Sequence, residues 1–139
     1  MAKECHPFDL PADIGLSARA DSPGELLEAL AEGLADLICP RANVHPRETV
    51  ELDVQADDWH SLAVTFLWKV MDLIQADHMA VASVTVTQAS PTGAHARVAC
   101  ERLDPERHEI LTEVKAVTYH QLEFRPEGPR WTGRVVLDL

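Results

Sequence analysis

The stretch 12–38, ADIGLSARADSPGELLEALAEGLADLI, changes its hydrophobic period once, and that change decides the fold class. Over 12–20, Ile14, Leu16 and Ala18 alternate with Asp13, Gly15, Ser17 and Arg19, the period of two expected of a half-buried strand. Ser22-Pro23-Gly24-Glu25 then supplies a helix start. The serine is a cap, the proline stands where a backbone N–H has no helical partner anyway, and the glutamate completes a capping box. Leu26, Leu27, Leu30, Leu34, Leu37 and Ile38 follow at helical spacing, and the run ends near Pro40.

Working outward, Val50, Leu52 and Val54 alternate with Glu51, Asp53 and Gln55 and predict a second strand with one wet face. Asp57 and Asp58 suit the positive end of a second helix over 59–76. Its apolar stripe is Leu62, Phe66, Leu67, Val70, Leu73 and Ile74, widened by Trp59, Ala63 and Val64. Strands are expected over 81–88, 94–101, 113–124 and 131–139, with turns at Ser90-Pro91-Thr92-Gly93 and around Pro126, Gly128 and Pro129. The polar connection 103–111 fits a short helical turn. The pattern predicts a two-layer α+β fold, a mainly antiparallel sheet with two helices packed on one face. With 139 residues and 46% hydrophobic content, one domain over 1–139 is expected, its core drawn from Leu, Val, Ile and Ala because aromatics are scarce.

The 23 acidic against 12 basic residues give a net charge of −11, which repels a phosphate backbone and argues against direct, tight nucleic-acid binding. Such a surface suits a cation or a basic protein, although solubility alone also accounts for it. Cys5, Cys39 and Cys100 are odd in number and lack CxxC spacing, so they read as reduced cytosolic thiols. No signal peptide and no membrane-length apolar run is visible, and a cytoplasmic protein without membrane attachment is expected. The absence of a Gly-rich phosphate loop, a GxSxG elbow or an HExxH pair argues against an enzyme. The seven histidines show no close ligand spacing and read mostly as surface residues.

Two aspartates sit awkwardly. Asp13 lies near the start of the first strand, and Asp138 interrupts the apolar run Val135-Val136-Leu137-Asp138-Leu139. In a strand Asp138 points opposite to Leu137 and Leu139, so it either faces water or needs hydrogen bonds or a cation to offset its desolvation. If the last strand lay beside the first, Asp13, Asp138 and the Leu139 α-carboxylate would form an all-oxygen site suited to calcium or magnesium rather than zinc.

Asp9-Leu10-Pro11-Ala12-Asp13-Ile14-Gly15 resembles the archease opening DHTADIG, and it stands at the family's distance before the first helix. Val114-Lys115-Ala116-Val117-Thr118-Tyr119-His120 resembles the family's VKAITYH, and residues 103–109 match the stretch before it. The closing Arg134-Val135-Val136-Leu137-Asp138-Leu139 is similar to the family's terminal strand. The resemblance covers nearly the whole chain.

It implies a protein cofactor of an RtcB-type RNA ligase rather than an enzyme, promoting ligase guanylylation and turnover in tRNA splicing or RNA repair. By position it implies a divalent cation on Asp13, Asp138 and Leu139, calcium first, with magnesium or manganese as alternatives. It also associates Glu25 and Lys115 with ligase activation, although capping accounts for Glu25 and an exposed strand position for Lys115. Leu10 and Pro11 replace the family's His-Thr and remove a histidine that could support a carboxylate. A small metal-dependent enzyme and a general chaperone-like protein-binding module are the alternative readings.

Overall fold

The strand that opens the chain path is one the periodicity did not reveal. The computed structural model describes residues 3–11 and 13–139. Within them β1 (Glu4–Leu10) pairs antiparallel with β2 (Asp13–Ala20), while Ala12, where the first strand is expected to begin, lies outside the described residues. The rest of the chain forms α1 (Pro23–Ile38), a 3-10 turn (Arg41–Asn43), β3 (Glu48–Gln55), α2 (Trp59–Gln75), β4 (Met79–Ser90), β5 (Gly93–Arg102), β6 (Ala116–Val117), β7 (Glu123–Glu127) and β8 (Arg130–Asp138).

The α+β class, the two helices and the antiparallel pairing stand, but the strands divide between two sheets. One runs β1-β2-β8, with β6 and β7 both on the far side of β8, and the other runs β3-β5-β4. Helix α1 contacts β1, β2 and β8 of the first sheet and β4 of the second, and α2 likewise meets strands of both. The helices therefore share a core with two sheets, and Leu16, Leu26, Leu30, Phe66, Val98 and Val135 are all buried in it. Burial of this kind, at about 25 cal/mol per Å² of apolar surface, is the main stabilising term.

Helix α1 also joins the sheets through its polar residues. Glu28 and Glu32 stand one turn apart, and their carboxylates accept hydrogen bonds from the backbone N–H groups of Val86 (2.8 Å) and Val84 (3.0 Å) on β4. Both glutamates also hold Lys3, just before β1, at 3.0 Å. Carboxylates that are largely buried thus find donors in a strand edge and a lysine, as buried polar groups require.

The expected strand over 113–124 is mostly irregular: Ala116 and Val117 pair with β8, and β7 begins only at Glu123. Two features explain the difference. Gln121 has a positive φ of 52° in the turn between these strands, and the segment before it is held by side chains of α2 rather than by a ladder. The turn expected within 103–111 is present, closed by bonds from the N–H groups of Arg107 and His108 to the Asp104 carbonyl. At the last hairpin Gly128 takes a left-handed φ of 58°, a conformation that favours glycine.

Candidate functional site

The pairing of β2 with β8 starts at Asp13 opposite Asp138 and runs to Ala20 opposite Trp131. Residues directly opposite in an antiparallel pair point to the same face, with Cβ atoms about 5 Å apart. Ile14, Leu16 and Ala18 face inward with Leu137, Val135 and Gly133, so Asp13 and Asp138 share the outer face. Two like charges in this position repel each other. Among the described residues neither carboxylate has an ion pair or a side-chain hydrogen bond, so no protein cation offsets that repulsion.

Leu139 follows Asp138 directly and is 37% exposed. Lys115 arrives from the other side: its backbone N–H donates to the Asp138 carbonyl at 2.8 Å, and Ala116 is the register partner of Asp138. Glu25 is not part of this group. It lies beyond the Ala20 end of β2, seven residues from Asp13, or roughly 23 Å at ~3.3 Å per residue. There its backbone N–H donates to Ser22 Oγ and its carboxylate accepts the Ser22 hydroxyl, each at 3.2 Å, which makes a helix cap.

The position of Lys115 depends on residues that sequence reasoning passed over. Gln75, at the end of α2, donates from its amide to the Val114 carbonyl and accepts the Val114 N–H, both at 2.8 Å. Trp68 donates its indole N–H to the Val117 carbonyl at 3.2 Å. These two side chains stand in for a neighbouring strand on either side of Lys115.

The loop leading there is anchored at Glu101, which is 2% exposed. Its carboxylate accepts bonds from the Arg107 guanidinium, the His45 backbone N–H (2.6 Å) and His108 Nε2 (3.2 Å). His108, unlike most of the histidines, is buried, and its Nδ1 accepts the Asp104 backbone N–H at 2.8 Å. That bond fixes a neutral ring with the proton on Nε2, directed at Glu101. Arg107 first, and then the His45 N–H, hold the Glu101 carboxyl down at about 2. The only sequence signal for this cluster is a glutamate closing the apolar run of β5, because its partners are chosen by the loop fold.

On the same outer face, the Phe8 ring covers Gly15: a Cβ on Gly15 would fall 2.0 Å from the ring. The Arg134 guanidinium lies over that ring, 4.3 Å from its centroid. A glycine is therefore required two residues after Asp13 for packing.

Chemically, the Asp13–Asp138 pair offers hard oxygen donors, open to solvent, on rigid strands. This donor set fits a divalent cation that retains water. Among the described residues no group of three or more His, Cys, Asp or Glu side chains is arranged to hold a metal, so the pair by itself supplies two carboxylates and further oxygen donors would have to come from elsewhere.

A small α+β protein with a paired-carboxylate site at a sheet end is the class these features define. Residues 6–139 match the family model described as the archease protein family (MTH1598/TM1083), and the chain belongs to that family. It is 32% identical to the protein archease of Pyrococcus abyssi over 142 residues, covering 99% of each chain. It is 34% identical to the protein archease of Thermococcus gammatolerans over 137 residues, covering 95% of this chain and 96% of that one. In fold it is similar to the solution structure of Methanobacterium thermoautotrophicum protein 1598, with a TM-score of 0.79, 24% identity and 99% of each chain covered. A Thermotoga maritima crystal structure described as an archease, possible chaperone, superposes with a TM-score of 0.58 at 23% identity over 96% of each chain. Among the described residues no helix is long and apolar enough to cross a membrane.

Proposed function

We propose that this chain is a protein cofactor of an RtcB-type RNA ligase, raising the ligase's guanylylation and turnover in tRNA splicing or RNA repair. Family membership over nearly the whole chain supports this reading, and the observation that carries it to particular residues is the unneutralised Asp13–Asp138 pair. In the proposal these two carboxylates and the terminal oxygens of Leu139 hold a divalent cation, calcium first. Lys115, bonded through its backbone to Asp138, is presented beside it. Glu25 lies at the opposite end of β2, so a ligase contact through it is a second contact, separate from the cation site.

The bond-making chemistry stays with the ligase. An activator of this kind shifts its partner only by binding two ligase states unequally. The test is the guanylylation and multiple-turnover ligation rate of the cognate ligase with this protein, with Asp138→Ala and with neither. A rate increase that requires Asp138 is expected. No increase over ligase alone, with folded protein and active ligase, refutes the reading.

A second reading, a chaperone-like binding module, draws on the Thermotoga maritima structure described as a possible chaperone and on the large apolar residues exposed among the described residues, Ile110, Leu111, Tyr119 and Leu139. It predicts suppression of aggregation of unrelated clients, which the cofactor reading does not.

A further inference from the structure

Strand β3 forms one edge of the second sheet and is bonded on one side only. Its pairing with β5 runs without a break from Glu48 opposite Cys100 to Gln55 opposite Gly93. One bond beyond the strand, from the Ala56 N–H to the Thr92 carbonyl at 3.1 Å, continues the same register. Bonded and non-bonded pairs alternate along an antiparallel ladder, so that bond fixes the phase. Val50, Leu52 and Val54 bond to β5, while Thr49, Glu51, Asp53 and Gln55 turn their N–H and C=O groups outward. Among the described residues nothing bonds to this outward row of backbone groups. The opposite edge differs, because the Val84 and Val86 N–H groups of β4 bond to Glu32 and Glu28.

The core side of β3 is also short of cover. Val50 and Leu52 are half-buried, whereas their register partners on β5, Val98 and Ala96, are fully buried. A further strand laid along β3 would take up the outward N–H and C=O groups and set its own apolar side chains beside Val50 and Leu52. Only a polypeptide backbone offers the matching alternation of donors and acceptors, so the ligand is an extended protein segment.

On the solvent face, side chains of the same strand select which segment. Asp53 meets His95 Nδ1 at 2.6 Å and Glu51 lies 3.5 Å from Arg97 Nε, both on the β5 side. The two carboxyl side chains are nevertheless 82% and 59% exposed, and each can take a second partner across the open edge. A second copy is a poor one. Of the two antiparallel registers that pair the whole of β3 with itself, one sets Glu51 against Glu51 of the copy and the other sets Glu51 against Asp53. A segment bearing lysine or arginine at those positions is complementary, in a chain whose net charge is −11.

We infer that β3 is a docking edge for an extended basic segment of a protein partner. The segment joins the second sheet as an antiparallel strand, with apolar side chains toward Val50 and Leu52 and lysine or arginine toward Glu51 and Asp53. This inference does not rest on the ligase reading and adds a second surface to it.

The test titrates isotope-labelled full-length protein with an end-blocked peptide of alternating lysine and valine, up to millimolar concentration. One control peptide carries glutamate in place of each lysine, and another is N-methylated at its lysines, which keeps the charge and removes the ladder donors. The basic peptide should shift the amide signals of Thr49, Glu51, Asp53 and Gln55 and slow their hydrogen exchange, and neither control should. The double variant Glu51→Gln, Asp53→Asn should weaken binding about three- to tenfold and flatten its salt dependence. Thr49→Pro removes an outward N–H that β5 does not use, so it should weaken binding at unchanged net charge. Thermal unfolding verifies that both variants fold.

Shifts without slowed exchange along β3 would assign the peptide to charge attraction alone and overturn the inference. Equal binding of the acidic or the methylated peptide, or no binding of the basic one, overturns it too. Self-association of wild type that Thr49→Pro abolishes gives the edge to a second copy and also refutes it. Each of these outcomes leaves the ligase reading where it stood.

Discussion

Gly15→Ala adds a single methyl beside the candidate site, and the structure determines where it goes. The new Cβ would lie 2.0 Å from Phe8 Cζ and 2.4 and 2.5 Å from the two Cε atoms. Carbon atoms in contact prefer about 3.5–4.0 Å, so the ring has to move by roughly 1.5–2 Å. Moving it uncovers the strand and disturbs the contact of the Arg134 guanidinium with the ring. Overpacking of this kind costs about 1–3 kcal/mol. Replacing glycine in a strand returns about 0.5–1 kcal/mol through the unfolded chain. The net expectation is a loss of up to about 2.5 kcal/mol, read as a lower urea midpoint at unchanged m-value. In a Phe8→Ala background the obstacle is gone, and the same glycine change should be neutral or mildly stabilising. Equal cost of Gly15→Ala in both backgrounds would show that Phe8 is not what the methyl meets, and the packing account would fail.

Three further outcomes follow from the site's surroundings. Gln75→Leu leaves the N–H and C=O of Val114, a residue 1% exposed, without partners, and should cost about 1–3 kcal/mol; faster amide exchange at Val114 and Lys115 is the readout, and unchanged protection there refutes the clamp. The Glu101 carboxyl is held at about 2 against an ordinary 4.5, so it contributes stability that is complete above pH 4.5 and is lost as pH falls through about 2. Glu101→Gln should therefore be least stable relative to wild type above pH 4.5, with the gap closing in acid unfolding series. His95 Nδ1 lies 2.6 Å from an Asp53 carboxylate oxygen, and that hydrogen bond raises its pKa above 6.5. The associated stability is present below 6.5 and fades as pH rises through the raised value, and Asp53→Asn should bring the imidazole titration, followed by NMR, back toward 6.5.

The β2–α1 unit was readable because both of its periods were clean and its cap was written in side chains: Ser22 caps α1 as the spacing implies, and Asp58 caps α2. Strand β1 was not readable, because its outer face is apolar at Phe8 and so shows no alternation of wet and dry sides. The 113–124 segment looked like a strand because Val114 and Val117 are buried, but its backbone is satisfied largely by Gln75 and Trp68, and no local pattern reveals partners that distant. At the site, Asp13 and Asp138 stood out as charged residues in apolar runs, but their register needed the sheet order. The resemblance put Glu25 beside them in function, yet strand length separates them in space. Glu101, Arg107 and His108 form a cluster only after the loop closes on itself.

Strand β4 lies at one edge of its sheet, and such an edge ordinarily invites a stranger's backbone to extend the ladder, the first step of fibre growth. Here the Val84 and Val86 N–H groups are already taken by Glu32 and Glu28, and the Ala82 carbonyl accepts from Arg41. A short row of charged side chains therefore acts as a blunt margin. The second sheet is thereby kept from serving as a template along that side even in concentrated solution.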